Sequence, residues 1–319
     1  MKTILLSQMI HPAGYEMIKD RFNVVTPPDP TQATFDALAL EADGIVLRTN
    51  LKVSGEVIRA AKNLKIISRT GAGVDNIDLA AADKAGVMIC NTPAVNNVSV
   101  AEHAVALMLS LAKQLPLLDT CVRTPDRWKE RLKNHGVELF GKTLGVVGIG
   151  AIGSLAARIC ANGFGMRILV FDPYADPSRF PEYAFVGLPE LFSSSDFITL
   201  HCPSLPDTRG LVNHELIGRM KPSAYLVNCA RGDVVDTAAL YDALAHGRIA
   251  GAGLDVFAEE PIPTADALLS LPNVIVSPHA AALTKEASQK MSIEACRQVI
   301  DYFEGRTPPF VYRFNRERN

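Results

Sequence analysis

Three polar residues sit where short apolar runs give out: Arg231 in LVNCARGDVVD, Glu260 in GLDVFAEEP and His279 in VIVSPHAA. The ends of strands form the ligand-binding edge of an open parallel sheet, so the three are expected to meet there. As a set they suit reduction of a 2-oxo acid, which needs a hydride on the carbonyl carbon and a proton on its oxygen. Histidine titrates near neutrality and can give or take that proton, which makes His279 the acid–base candidate. A carboxylate on the other ring nitrogen, Glu260, would orient the imidazole and favour its protonated form. Arg231 brings a fixed fork of donors that grips a carboxylate and polarises the adjacent carbonyl. Each residue alone reads as a surface charge or a loop position. Their weight comes from forming one ordered series.

The hydride source is legible upstream. Residues 141–172 read GKTLGVVGIGAIGSLAARICANGFGMRILVFD. An apolar strand over 144–149 runs into Gly148-x-Gly150-x-x-Gly153, then a helix, then a second apolar strand that ends in an acid. Gly148 permits the tight turn, Gly150 lets backbone N–H groups approach a pyrophosphate, and Gly153 lets the helix pack close to the strand. Asp172 lies 19 residues after Gly153, where a carboxylate can accept from both ribose hydroxyls of an adenosine. The same charge repels a 2′-phosphate, so the site is expected to prefer NAD to NADP.

The elements that must position these groups follow from the bulk pattern. The chain has 319 residues, 48% hydrophobic and 21% charged, with a net charge of −2. That length fits about two domains with sizeable cores, and the charge balance argues against nucleic acid as a partner. Six scattered cysteines form no CxxC pair; they fit a reducing cytoplasm rather than a disulfide framework or a zinc site. The seven histidines show no HExxH and no ligand cluster, so no metal is expected. The opening MKTILLSQMIHP reads as a first strand rather than a signal peptide, because Ser7, Gln8 and His11 interrupt its apolar run. No window reaches about 18 uninterrupted apolar residues, so no membrane span is expected.

Short apolar strands alternate with helical segments throughout, which predicts an α/β fold of parallel sheets. Early strands are expected at 3–7, 23–26, 44–48, 65–68 and 87–91, with helices at 13–21, 31–39 and 55–61. Later strands are expected at 197–201, 224–228, 253–257 and 274–277. The fingerprint begins only near residue 144, so a complete small α/β unit precedes it. The apolar helix over 99–115 would carry the chain out of that unit, and the helix over 283–304 would bring it back. Residues 1–98 and 284–319 then form a discontinuous substrate domain, with the dinucleotide domain, 99–283, inserted and the substrate held in a cleft. The terminal NRERN reads as a frayed tail.

With these motifs in hand the sequence resembles the D-isomer-specific 2-hydroxyacid dehydrogenases over nearly its whole length. The resemblance is carried by RTGAGVDNIDLAAA (69–82), NTPAVNNVSVAEH (91–103), GKTLGVVGIGAIG (141–153), VNCARGDVVD (227–236), GLDVFAEEP (253–261) and the pair Pro278–His279. It implies two Rossmann-like, doubly wound parallel-sheet domains, NAD as cofactor, and Arg231, Glu260 and His279 as the catalytic residues. Glu260 rather than Glu259 is the match because it immediately precedes Pro261. The resemblance further implies that Ala72, Gly73 and Val74, after Gly71, hold the substrate carboxylate, with Asn96 near the cleft. Ala151 and Ile152 would meet the pyrophosphate, and Cys202, Pro203, Thr208, Cys229, Ala230, Asp255 and Ala281 would line the cofactor.

Within the family the motifs are most similar to 3-phosphoglycerate dehydrogenases, which implies a role in serine biosynthesis. Arg48, Arg69 and Arg131 are then the candidates for holding a phosphate. One departure is the run Ala280–Ala281–Ala282 after His279, where relatives often carry a glycine. The chain ends soon after the returning helix, so a serine-binding regulatory domain is not expected. A glyoxylate or hydroxypyruvate reductase is the nearest alternative. An NAD-sensing co-repressor is the alternative from another class, set back by the lack of long polar extensions. The resemblance also implies a homodimer, with the helix from Ser99 and the segment 115–140, which holds the sole tryptophan, Trp128, at the interface.

Overall fold

Runs such as GIVL, FITL and YLVN have no polar face, and each folds as a strand buried along its whole length, as parallel strands covered by helices on both sides must be. The structure is a computed structural model that describes residues 1–29, 31–133 and 135–313; the NRERN terminus lies outside the described residues. The chain divides into two units, Met1–Asn96 with the segment from Ala282 onward, and Asn97–Ala281.

The first unit contains β1 (Thr3–Leu6), α1 (Pro12–Ile18), β2 (Asn23–Val25), α2 (Gln32–Ala39), β3 (Gly44–Leu47), α3 (Gly55–Ala60), β4 (Ile66–Arg69), α4 (Leu79–Ala85) and β5 (Met88–Cys90). Its sheet has the order β2-β1-β3-β4-β5, with every pair parallel. Phe35, Ile45, Leu47, Ile58 and Ile67 belong to one of its cores. The side-chain oxygens of Thr31, Ser54 and Asp78 cap α2, α3 and α4 by accepting backbone N–H groups of the first turn.

The second unit contains α5 (Asn97–Lys113), α6 (Leu115–Arg123), β6 (Thr143–Val147), α7 (Ala151–Phe164), β7 (Arg167–Phe171), β8 (Ala184–Phe185), α8 (Leu188–Ser194), β9 (Phe197–Leu200), α9 (His214–Arg219), β10 (Tyr225–Asn228), α10 (Thr237–Ala245), β11 (Gly251–Leu254) and β12 (Val274–Val276). Its parallel sheet has the order β12-β11-β10-β9-β6-β7-β8, the doubly wound arrangement of dinucleotide-binding folds. The order reverses between β6 and β9, and ligands bind at such a switch point. Helix α11 (Lys285–Phe303) then returns to the first unit, where Ala295, Cys296, Val299 and Ile300 complete a second core with Ile4, Leu6, Ile18 and Val46.

Three elements differ most from the sequence expectation. The first helix, expected over 13–21, ends at Ile18. The helix expected over 99–115 starts two residues earlier and stops at Lys113, because Gln114 takes left-handed angles (φ 52°) and α6 begins afresh beyond it with a proline in its first turn. The axes of α5 and α6 diverge by 59°. The strand expected over 253–257 is displaced toward the N-terminus: β11 pairs through Leu254↔Val276. There Asp255 leaves the ladder to bind the loop after β12 with its side chain. Among the described residues no single helix is long and apolar enough to cross a membrane. All six cysteines are free, and burial pushes the thiols of Cys90, Cys160 and Cys296 up to about 12.

Candidate active site

The loops that follow β10, β11 and β12 bring Arg231, Glu260 and His279 together within the second unit. His279 Nδ1 lies 2.6 Å from Glu260 Oε2, and the backbone N–H of Phe257 donates to Glu260 Oε1 at 3.0 Å. Burial pushes the Glu260 carboxyl up. The hydrogen bonds from His279 and Phe257 and the charges of His279 and Arg231 outweigh it and hold the group below the usual carboxylate range. An ionised carboxylate only accepts, so Nδ1 carries the proton and Nε2 is the ring nitrogen left for chemistry.

Local geometry explains how the loops reach one another. A Cβ on Gly232 would collide with the backbone of Phe257, so only glycine lets the loop after β10 lie against the one that carries Glu260. Asn228, fully buried at the end of β10, accepts from Ala230 N–H at 2.9 Å and donates to the Arg231 carbonyl at 2.9 Å. Arg231 Nη1 donates to the Ala230 carbonyl at 2.7 Å. His279 has φ 51°, a left-handed conformation uncommon for a side chain other than glycine, and its N–H donates to the carbonyls of Asp255 (2.8 Å) and Ser277 (3.0 Å).

The dinucleotide turn follows β6. Gly148 has φ 90° and its α-carbon faces the backbone of His201 and Cys202; a Cβ on Gly153 would strike the Gly148 carbonyl. At Gly150 a Cβ would meet nothing within 4 Å. Gly150 is the N-cap of α7 and supplies no side-chain acceptor, so the first N–H groups of a 14-residue helix, beginning at Ala151 and Ile152, face open space. An uncapped helix N-terminus is an anion site, and these residues fit a pyrophosphate. Asp172 closes the turn, accepting from Ile149 N–H and Tyr174 N–H, each at 2.9 Å.

The other expected cofactor residues fall on neighbouring loops of the same sheet edge. Cys202 and Pro203 follow β9. Thr208 folds back on that loop, its Oγ1 donating to the Pro203 carbonyl at 2.6 Å and accepting from Leu205 N–H at 2.8 Å. Cys202 is half-buried with its thiol pushed up to about 11, chiefly by burial. Cys229 and Ala230 are buried after β10, and burial likewise raises the Cys229 thiol. Ala281 N–H donates to Asp255 Oδ2 at 2.9 Å. Beside Cys202, burial pushes the His201 imidazole down to about 4, so at neutral pH it is no second acid.

In the first unit, Arg48 and Arg69 sit at the C-terminal ends of β3 and β4, the binding edge of that sheet. Arg69 is buried, with Nη1 on the Thr70 carbonyl (2.8 Å) and Nη2 on Thr49 Oγ1 (3.1 Å). Its guanidinium occupies the place a side chain on Gly71 would need. Burial lowers the Arg48 guanidinium from its ordinary value, and Nη1 donates to the Met9 carbonyl at 3.1 Å. Beyond β4 the Ala72 carbonyl accepts from Asn91 Nδ2 at 2.7 Å. The N–H groups of Ala72, Gly73 and Val74 have no partner among the described residues, which leaves them available to a carboxylate. Asn96 Oδ1 is buried and unpartnered among the described residues. Arg131 is exposed in the second unit, stacked over Trp128 at 5.0 Å, and among the described residues no hydrogen bond or ion pair joins it to Arg231, Glu260 or His279.

Sequence reasoning passed over two side chains of this site. Ser277 Oγ donates to Asp255 Oδ1 at 2.6 Å, and His103 Nε2 lies 2.8 Å from Ser277 Oγ. His103 comes from α5, far from Ser277 in the sequence, where it closes the NTPAVNNVSVAEH motif (91–103) with no role of its own assigned.

Comparison with known proteins agrees with this architecture. Residues 105–281 match the family model described as D-isomer specific 2-hydroxyacid dehydrogenase, NAD binding domain. The chain is 39% identical over 307 residues to the D-3-phosphoglycerate dehydrogenase of Synechocystis, covering 96% of this chain and 55% of that protein. It thus spans about half the length of the curated relatives it matches. Among solved structures, the TT0316 protein of Thermus thermophilus superposes with a TM-score of 0.89 at 32% identity, covering 98% of this chain and 100% of that one. The NADPH-dependent glyoxylate/hydroxypyruvate reductase of Sinorhizobium meliloti gives 0.85 at 29% identity, covering 98% of each chain.

Proposed function

The chain belongs to the D-isomer-specific 2-hydroxyacid dehydrogenases, and from that membership we propose that it carries out NAD-dependent interconversion of a 2-hydroxy acid and its 2-oxo acid, with 3-phosphoglycerate and 3-phosphohydroxypyruvate as the pair. The observation that carries the chemistry is the 2.6 Å pairing of His279 with a Glu260 held ionised. The bound nicotinamide supplies the hydride in reduction and takes it in oxidation. In reduction His279 gives the proton on Nε2 to the oxygen of the 2-oxo group; in oxidation the neutral Nε2 removes the hydroxyl proton. Glu260 holds Nδ1 and so fixes which nitrogen faces the substrate. Arg231 grips the substrate carboxylate and draws charge onto the carbonyl oxygen. Within the first unit, the N–H groups at 72–74 form an anion cradle suited to a carboxylate.

Gly148, Gly150, Ala151, Ile152 and Gly153 would hold the pyrophosphate, and Asp172 the adenosine ribose, so NAD is preferred over NADP. The phosphorylated substrate rests on Arg48 and Arg69 at one sheet edge, together with the 39% identity to proteins named for that substrate. Reduction of glyoxylate or hydroxypyruvate is the second reading, favoured by the TM-score of 0.85 to a reductase of those acids. A homodimer is part of the proposal: Leu115, Val122, Trp128, Leu132 and Phe140 are all exposed, Trp128 at 58% and Phe140 at 76%, an apolar set that solvent would not leave uncovered.

The test is NADH oxidation, followed by absorbance, over 3-phosphohydroxypyruvate, hydroxypyruvate, glyoxylate, pyruvate and 2-oxoisocaproate. Strong preference for the phosphorylated acid is the expected result. Preference for an unphosphorylated acid would keep the mechanism and remove the phosphate site. Binding of NADH without turnover of any acid would overturn the substrate assignment and move weight to an acid outside the panel or to a sensing role.

A further inference from the structure

The turn that presents His279 is held by a hydrogen-bond chain that starts outside the catalytic loops. Asp255 is 1% exposed, and a buried carboxylate is tolerable only when donors surround it. Ala280 N–H (2.8 Å) and Ser277 Oγ (2.6 Å) donate to Oδ1, and Ala281 N–H (2.9 Å) donates to Oδ2. The Asp255 carbonyl takes the N–H of His279 itself. Four groups from residues 277–281 therefore converge on one aspartate, and between them they hold His279 at its positive φ.

The next link follows from donor counting. The Ser277 hydroxyl has a single hydrogen, and it points at a carboxylate that can only accept. Its oxygen must then accept from His103, so Nε2 of His103 carries a proton. That nitrogen is also 3.6 Å from Asp255 Oδ1, which makes His103 the side chain beyond the turn that backs the buried anion. His103 stands on α5, which packs on β10, β11 and β12 and thus on the strands that launch all three catalytic loops.

We propose that His103 is a positioning residue for His279: through Ser277 and Asp255 it locks the 277–281 turn so that the imidazole meets both Glu260 and the substrate. The proposal rests on the acid–base role given to His279 above. It predicts that loss of the lock falls on the chemical step more than on dinucleotide binding. A displacement of about 1 Å at a reacting group costs on the order of 100-fold in rate, so loss of the lock is expected to lower kcat roughly 10- to 100-fold.

The experiment uses the full chain and the variants His103→Ala, His103→Gln, Ser277→Ala, Ser277→Thr and the double alanine variant. Two readouts are taken: steady-state kinetics with the best acid of the panel, and hydrogen–deuterium exchange of the peptide spanning 277–284 without substrate. Expected are a lowered kcat with KM and NADH affinity within about twofold of wild type, and faster exchange at Ala280 and Ala281, in both single alanine variants. Ser277→Thr, which keeps the hydroxyl, and His103→Gln, which keeps a donor, should restore both readouts. The double variant should be no worse than either single one, because the two residues act in series. Wild-type kcat and exchange in His103→Ala would overturn the proposal, as would a loss confined to NADH affinity. If the wild-type protein turned over no acid, the functional reading would fail; the exchange data would still decide whether His103 holds the turn.

Discussion

At the scale of single residues the proposed mechanism separates side chains that would react from side chains that would aim them. His279→Ala is expected to lower kcat by about 10²- to 10⁴-fold, the usual cost of removing a general acid–base, while NADH still binds as judged by fluorescence titration. Asp172→Ala acts elsewhere: it should weaken NADH binding and narrow the ratio of NADH to NADPH affinity, and an unchanged ratio would sink the ribose assignment. That Arg231, Glu260 and His279 come together was legible in the sequence, because their chemistry is complementary and their order along the chain follows the strands. Ser277 and His103 were not. Their link spans 174 positions, and nothing in the local pattern of either segment announces it. Asp255 was expected as a cofactor-lining position by resemblance; its four-fold hold on the 277–281 turn is visible only in three dimensions.

Among the elements, β6 and α7 make the sharpest case, because three glycines in one turn have separable duties. Gly150 faces open space, so Gly150→Ala should leave Tm nearly unchanged and weaken NADH at least about tenfold, the equivalent of one lost bond of ~1.4 kcal/mol. Gly153→Ala drives a methyl into the Gly148 carbonyl, so it should lower Tm as well as affinity; thermal melts beside the titrations distinguish the two. The long apolar strands were legible from composition alone, since a parallel strand buried on both faces leaves no alternation to misread. Boundaries were legible only where a cap or a charge marks them. The end of β11 was misplaced by three residues because Asp255 reads as the polar interruption of a longer strand, when in fact it is where pairing stops. The break at Gln114 was hidden because no glycine or proline stands at that position, and Pro116 reads as a kink only once the helix before it has ended.

Over the whole molecule, each unit fastens the foot of its first strand with the same device. In the first, Asp43 accepts from Thr3 N–H at 2.8 Å and from Lys2 Nζ at 2.8 Å; in the second, Asp196 accepts from Thr143 N–H at 2.9 Å and from Lys221 Nζ at 2.9 Å. Burial raises both carboxyls, and these donors and charges outweigh it, so both lie below the ordinary carboxylate value. A depressed folded-state value means the stabilisation is complete above the ordinary range and is lost as pH falls through the depressed one. Asp196→Asn is therefore expected to cost about 1 kcal/mol at pH 7, read by urea unfolding, and the difference from wild type should shrink as the pH falls below the ordinary carboxylate range. A gap that persisted there would assign the loss to packing. The thiols add a property of a different kind. With Cys90, Cys160 and Cys296 buried and their thiols raised, the cores offer almost no thiolate at neutral pH, and thiolate is the form that oxidants and alkylating reagents attack. Cys202 alone is half-buried, one residue beyond the His201 carbonyl against which Gly148 turns. Slow maleimide labelling at alkaline pH would thus mark the dinucleotide turn before the core thiols of Cys90, Cys160 and Cys296, and the labelling rate would serve as an occupancy gauge for that turn without any substrate being known.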